Sequence, residues 1–113
     1  MKMQFDLKGK RVLITGGASG IGLGSVEAFL NCGASVALND LVDSKNLYEH
    51  VERLRREGHD VISAPGNIGD PIDAHQMVKK AIDSLGGLDY LINNAATPGT
   101  KKTIPPSDFQ QQD

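Results

Sequence analysis

Short apolar runs and longer amphipathic stretches alternate along the chain. Arg11-Val12-Leu13-Ile14-Thr15 is branched, apolar and followed at once by glycines, which predicts a buried parallel strand. From Gly20 to Cys32 the apolar residues Ile21, Ala28, Phe29 and Cys32 recur at helical spacing, with Gly33 as the stop. Ser35-Val36-Ala37-Leu38-Asn39 predicts a second strand. Between Ser44 and Glu57, Leu47, Val51 and Leu54 form one buried stripe on a surface helix that Gly58 ends. Asp60 to Ala64 predicts a third strand. Asp70-Pro71-Ile72-Asp73 starts a third helix, with a capping carboxylate, proline at the first helical position and an acid in the first turn. Val78, Ile82 and Leu85 mark its expected buried face, Gly86-Gly87 ends it, and Leu88 to Asn93 is the fourth strand.

This βαβαβαβ order predicts an α/β fold, a Rossmann-type doubly wound parallel sheet with strand order 3-2-1-4, truncated after the fourth strand. The periodic pattern stops after Asn94. Residues 1–96 read as one cofactor-binding domain. Residues 97–113, with Pro98, Gly99, Pro105, Pro106 and the Gln110-Gln111-Gln112 run, read as an irregular tail. The fourth strand would keep an unpaired apolar edge, which invites pairing or aggregation.

Composition changes this picture little. A chain of 113 residues that is 39% hydrophobic and 23% charged supports one modest core and argues against disorder. A net charge of −2 gives no general attraction to nucleic acid. Arg53, Arg55 and Arg56 interleave with Glu52 and Glu57 and read as a solvated helix face. No stretch has the length of a membrane span, and the N-terminal residues lack the apolar run of a signal peptide, so a cytoplasmic setting is expected. Cys32 has no disulfide partner in the chain and reads as a small core residue. His50, His59 and His75 have no metal-ligand spacing and read as surface residues, so no metal is expected.

The candidate chemistry lies where the first strand meets the first helix. A helix N-terminus offers free N–H groups and the positive end of its dipole, and glycines let the chain reverse without Cβ atoms in the way. Gly16, Gly20 and Gly22 stand at that point, spaced G-x-x-x-G-x-G, within Thr15-Gly16-Gly17-Ala18-Ser19-Gly20-Ile21-Gly22. The bland alternative is a glycine turn that binds nothing. Asp40 stands at the end of the second strand, where a carboxylate accepts hydrogen bonds from both adenosine ribose hydroxyls and repels a 2′-phosphate. No Arg or Lys follows before Lys45, so NAD is expected over NADP. The other reading of Asp40 is a turn or helix cap, as for Asp43 or Ser44.

On these residues the chain resembles the short-chain dehydrogenase/reductase family. The glycine turn matches the family's T-G-x-x-x-G-I-G. Asp89-Tyr90-Leu91-Ile92-Asn93-Asn94-Ala95-Ala96 matches its D-x-L-x-N-N-A-G, with Ala96 in place of the last glycine. The resemblance implies that Gly16, Ser19, Gly20, Ile21 and Gly22 line the pyrophosphate and adenosine ribose. It implies that Asp40 and Leu41 hold the ribose and flank the adenine. Asn67 and Ile68 stand where the family has Asp and a small apolar residue, and the Asn67 side-chain oxygen would still accept from the adenine amino group. Asn94, Ala95 and Ala96 would pass the adenosine side and the nicotinamide ribose, while Asn93 would tie the sheet together through backbone bonds.

The family's catalytic Ser, its Y-x-x-x-K pair and its helical Asn have no counterpart here. Tyr48 is followed four residues on by Glu52, and Tyr90 by Asn94. No catalytic residue is therefore assigned. The resemblance implies the cofactor-binding N-terminal portion of a longer, homo-oligomeric oxidoreductase (tetramer or dimer) that moves hydride between NAD and an alcohol or ketone. Alone, the chain would lack the proton-transfer machinery. Two other readings remain at this point: a non-catalytic nucleotide-binding or redox-sensing module, and a methyltransferase, against which the Asn-Asn-Ala-Ala end of the fourth strand speaks.

Overall fold

The computed structural model describes residues 6–94. Four strands and three helices alternate: β1 (Arg11–Thr15), α1 (Gly20–Asn31), β2 (Ser35–Asp40), α2 (Lys45–Arg56), β3 (Val61–Pro65), α3 (Pro71–Leu85) and β4 (Tyr90–Asn93). All pairings are parallel, and the order is β3-β2-β1-β4. This is the doubly wound arrangement expected from the alternation. No helix among the described residues is long and apolar enough to cross a membrane.

Alternation along each strand sends side chains to two separate layers. Val12 and Ile14 of β1, with Val36 and Leu38 of β2, face α1 and α2, where Val26, Leu30, Leu47, Val51 and Leu54 are buried. Leu13 and Ala37 point the other way, onto Met77 and Ala81 of α3. Because β1 and β2 are covered on both faces, they read as continuous apolar runs.

Some predicted faces turn out rotated. The buried positions of α1 are Gly22, Val26 and Leu30, spaced four apart. Ile21 is 83% exposed, Ala28 is exposed, and Cys32 is only half-buried. Counting apolar residues missed that face because its first inward position is a glycine. On α3 the fully buried residues are Met77 and Ala81, with Val78 and Leu85 packed at their flanks. The strand boundaries also shift: β2 runs on to Asp40, β3 ends at Pro65 and β4 begins at Tyr90.

The arginines of α2 do more than face solvent. Arg53 donates to Glu27 of α1 at 2.9 Å and to Glu57 at 3.1 Å, and also meets His50. Hydrogen bonding to Glu27, then to Glu57, raises the Arg53 pKa above its ordinary value. Arg55 donates from Nε to the Val61 carbonyl at 2.8 Å. Of the histidines, His75 is exposed, and His50 and His59 are half-buried.

The start of β1 is fastened to the approach to β4. Arg11 donates to Asp89 through its backbone N–H at 2.8 Å and its Nε at 3.1 Å, and its Nη1 donates to the Gly86 carbonyl at 2.8 Å. The Arg11 side chain, then its backbone N–H, holds the Asp89 carboxyl below its ordinary value. A carboxyl lowered by folding stabilises the native state above its unfolded pKa, near ~3.9, and that contribution is lost as pH falls through the lowered folded value. Asp89→Asn is therefore expected to be less stable than the parent at neutral pH. Urea titrations should show the two converging in acid, and a gap that stays constant down to acid pH counts against the clamp.

Candidate cofactor site

The carboxyl ends of β1, β2 and β3 open on one rim, and strand order reverses direction between β1 and β4. In open α/β sheets, a crevice for ligands forms at that switch point. Gly16 and Gly20 bracket the turn from β1 to α1, with φ of 61° and 58°, a backbone that L side chains rarely adopt. A Cβ on Gly20 would project into open space. Gly22 answers a different need. A Cβ there would strike the Gly16 carbonyl oxygen and lie 2.6 Å from Asn94 Nδ2 and 2.9 Å from Gly17 Cα. Helix and turn therefore pack backbone against backbone.

The N-terminus of α1 differs from those of α2 and α3. Ser44 accepts from Leu47 N, and Asp70 accepts from the backbone N–H groups of Ile72 and Asp73. Ser19, at the cap of α1, makes no side-chain cap hydrogen bond, and, as in α2, the first turn carries no acid. The N–H groups that a cap would occupy, and the positive dipole end, are left to whatever lies in front of the turn.

Asp40 closes the second side. Its Oδ1 accepts from Leu41 N at 2.9 Å and its Oδ2 from Ala18 N in the glycine turn at 3.3 Å. The half-buried carboxylate is thus oriented from two directions. It caps no helix, since Ser44 fills that role for α2. Leu41 beside it is 48% exposed.

The third side is the loop after β3. Gly66 N donates to the Asp40 carbonyl at 3.0 Å. Asn67 is exposed; its N–H donates to Asp73 Oδ2 at 2.6 Å, and its Oδ1 accepts from Gly69 N at 2.9 Å. One lone pair of that oxygen is thereby used within the loop and one is left. Ile68 is half-buried against the α3 layer.

At the end of β4, Asn93 does more than extend the sheet: its Oδ1 accepts from the Thr15 hydroxyl at 2.9 Å. Asn94 N donates back to Thr15 Oγ1 at 3.0 Å, and Asn94 Nδ2 donates to the Gly16 carbonyl at 3.2 Å. Asn94 therefore braces the glycine turn directly. Ala95 and Ala96 lie outside the described residues, as does the 97–113 tail.

Two structural contributors were not singled out in the sequence. Thr15 links the turn to β4. Asn39, 1% exposed, donates from Nδ2 to the carbonyls of Ala64 at 2.7 Å and Gly66 at 3.2 Å, while its own carbonyl accepts from Gly17 N at 2.9 Å. Asn39 thus joins the glycine turn, through its backbone carbonyl, to the end of β3 and the loop after it, through its buried side chain. Its signal was present: an asparagine inside an apolar strand run. Among the described residues, no cluster of His, Cys, Asp or Glu is arranged to hold a metal ion.

A parallel sheet of this order, with a glycine turn at an uncapped helix and an acid at the end of β2, defines a Rossmann-type dinucleotide fold. The sequence model of the short chain dehydrogenase family matches residues 10–113, and the chain belongs to that family. It is 39% identical over 98 residues to the uncharacterized oxidoreductase YhdF of Bacillus subtilis, a match covering 87% of this chain and 34% of that protein. Among solved structures it resembles a short chain dehydrogenase from Burkholderia cenocepacia in complex with NADP, at TM-score 0.74 and 30% identity over 90% of this chain and 42% of that one. It also resembles a short chain dehydrogenase/reductase from Burkholderia phymatum in complex with NAD, at TM-score 0.71 and 28% identity, covering 78% of this chain and 31% of that one. The chain spans about a third of the length of the curated relatives it first matches.

Proposed function

We propose that this chain is the NAD-binding part of an oxidoreductase that transfers hydride between NAD and an alcohol or ketone. The observation that carries the cofactor reading is the Asp40 carboxylate, oriented by Leu41 N and Ala18 N beside the uncapped N-terminus of α1. Ribose hydroxyls donate to such a carboxylate, whereas a 2′-phosphate is repelled by it. Gly16, Ser19, Gly20, Ile21 and Gly22 would take the pyrophosphate through backbone N–H groups. Leu41 would flank the adenine, and Asn67 with Ile68 would border its amino edge. Asn94, Ala95 and Ala96 would lie along the nicotinamide ribose. When bound, the nicotinamide supplies the hydride chemistry; these residues bind and orient it. The partner of the whole protein is then a small-molecule alcohol or ketone.

Calorimetry on the intact protein tests the reading. NAD is expected to bind at least about tenfold more tightly than NADP, a difference of ~1.4 kcal/mol. Asp40→Ser should remove most of that preference by weakening NAD and relieving NADP. Tighter binding of NADP by the unaltered protein overturns the role given to Asp40.

A second reading is a nucleotide-binding module without catalysis, since this fold by itself does not fix an activity. Turnover of a panel of secondary alcohols with NAD by the intact protein separates the two.

A further inference from the structure

The loop between β2 and α2 is tied down at three points. Leu41 N donates to Asp40 Oδ1 at 2.9 Å. Ser44 N donates to the Leu41 carbonyl at 3.0 Å, closing a turn. Tyr48, in the first turn of α2, reaches back so that its hydroxyl donates to the Val42 carbonyl at 2.8 Å. The loop residues gain little from packing: Leu41 is 48% exposed and Val42 69%. Hydrogen bonds, rather than a buried apolar anchor, therefore hold the turn.

The peptide that orients the Asp40 carboxylate belongs to this turn. Leu41 gives its N–H to Asp40 and its carbonyl to Ser44, and the next carbonyl along the chain is the one that Tyr48 holds. We infer that Tyr48 is a positioning residue for cofactor choice, fixing the 41–44 turn so that Leu41 N keeps the Asp40 carboxylate aimed at the adenosine ribose. Tyr48 itself touches no cofactor in this scheme. The inference rests on the proposed role of Asp40.

The mechanism makes a specific demand on binding. An acceptor aimed at two hydroxyls loses strength steeply when its direction drifts, so a loosened turn weakens NAD. NADP gains nothing from that carboxylate, so its affinity hardly changes. A residue that merely stabilised the fold would weaken both nucleotides together.

Tyr48→Phe keeps the ring and removes the hydroxyl. In the intact protein its dissociation constant for NAD is expected to rise about threefold to tenfold, the scale of one lost hydrogen bond. The constant for NADP should stay within about twofold, so the NAD preference falls by the same factor. Tyr48→Leu, which also removes the ring, should show the same loss and checks that phenylalanine has not found a substitute contact. Unchanged NAD affinity in both variants, or an equal loss for NAD and NADP, overturns the inference while leaving the role of Asp40 intact. An unaltered protein that binds neither nucleotide, or prefers NADP, removes the cofactor reading and this inference with it.

Discussion

Replacing Asn39 with aspartate is expected to destabilise the fold by roughly 3–5 kcal/mol near neutral pH, the scale of an uncompensated buried charge. The change is nearly isosteric, so packing is conserved and chemistry alone is altered. The Nδ2 group that donates to Ala64 and Gly66 would become an oxygen facing two carbonyl oxygens at a site 1% exposed. An ionised carboxylate has no proton to give them, and burial opposes its charge. Its folded pKa must therefore lie above the unfolded value near ~3.9. A group raised by folding costs least below its unfolded pKa and most above its folded one. The deficit should thus shrink in acid, where the protonated acid can again donate to one carbonyl. Asn39→Leu, which removes the donor without adding a charge, is expected to cost about 1–3 kcal/mol with no such pH dependence. Denaturant melts of the three proteins across a pH series measure both effects. An Asn39→Asp protein as stable as the parent at neutral pH would mean that this side chain does not fasten the end of β3 and the loop after it to β2.

Gly22→Ala is expected to lower the affinity for NAD by at least about tenfold and to destabilise the fold by ~1–3 kcal/mol. The new methyl group meets the Gly16 carbonyl, Gly17 Cα and Asn94 Nδ2. Two of these are backbone, so relief requires the turn to move away from the helix. That movement displaces the N–H groups proposed to receive the pyrophosphate. Gly24 provides the contrast within the same helix. A Cβ there meets nothing within 4 Å, and its backbone is not in the left-handed region. Gly24→Ala should therefore stabilise the protein by about 0.5–1 kcal/mol, through helix propensity, and leave NAD affinity alone. Equal behaviour of the two variants in calorimetry and thermal melts would contradict the close packing assigned to Gly22.

Much of this architecture was legible in the chain. Branched apolar runs at Arg11–Thr15 and Ser35–Asn39, separated by helical periodicity, were enough for a parallel sheet, because a strand covered on both faces needs no polar alternation. The glycine turn and Asp40 were legible for a related reason. Backbone reversal at a helix start and a carboxylate at a strand end are local features, marked by residue types that are costly anywhere else.

What the chain alone left undecided was which side chains meet across distance. Periodicity put Ile21 and Ala28 on the inner face of α1, whereas close approach to the turn makes Gly22 inward and leaves Ile21 exposed. A hydrophobicity pattern weighs side chains, and here the decisive property was the lack of one. Asn39, Thr15 and Asn94 show the same limit. Thr15 and Asn39 read as strand residues and Asn94 as a residue beside the cofactor, yet the partners described for them lie between 22 and 79 positions away. Only the packed sheet brings those groups within hydrogen-bond reach. Local backbone and burial preferences were enough for the order of elements and the positions of the turn and the acid, while the family was legible as a resemblance carried by two motifs, the glycine turn and Asp89–Ala96. Only the packed fold shows that Asn94 braces the glycine turn and that Ala18 N meets the Asp40 carboxylate, because those contacts depend on distances that no local pattern encodes.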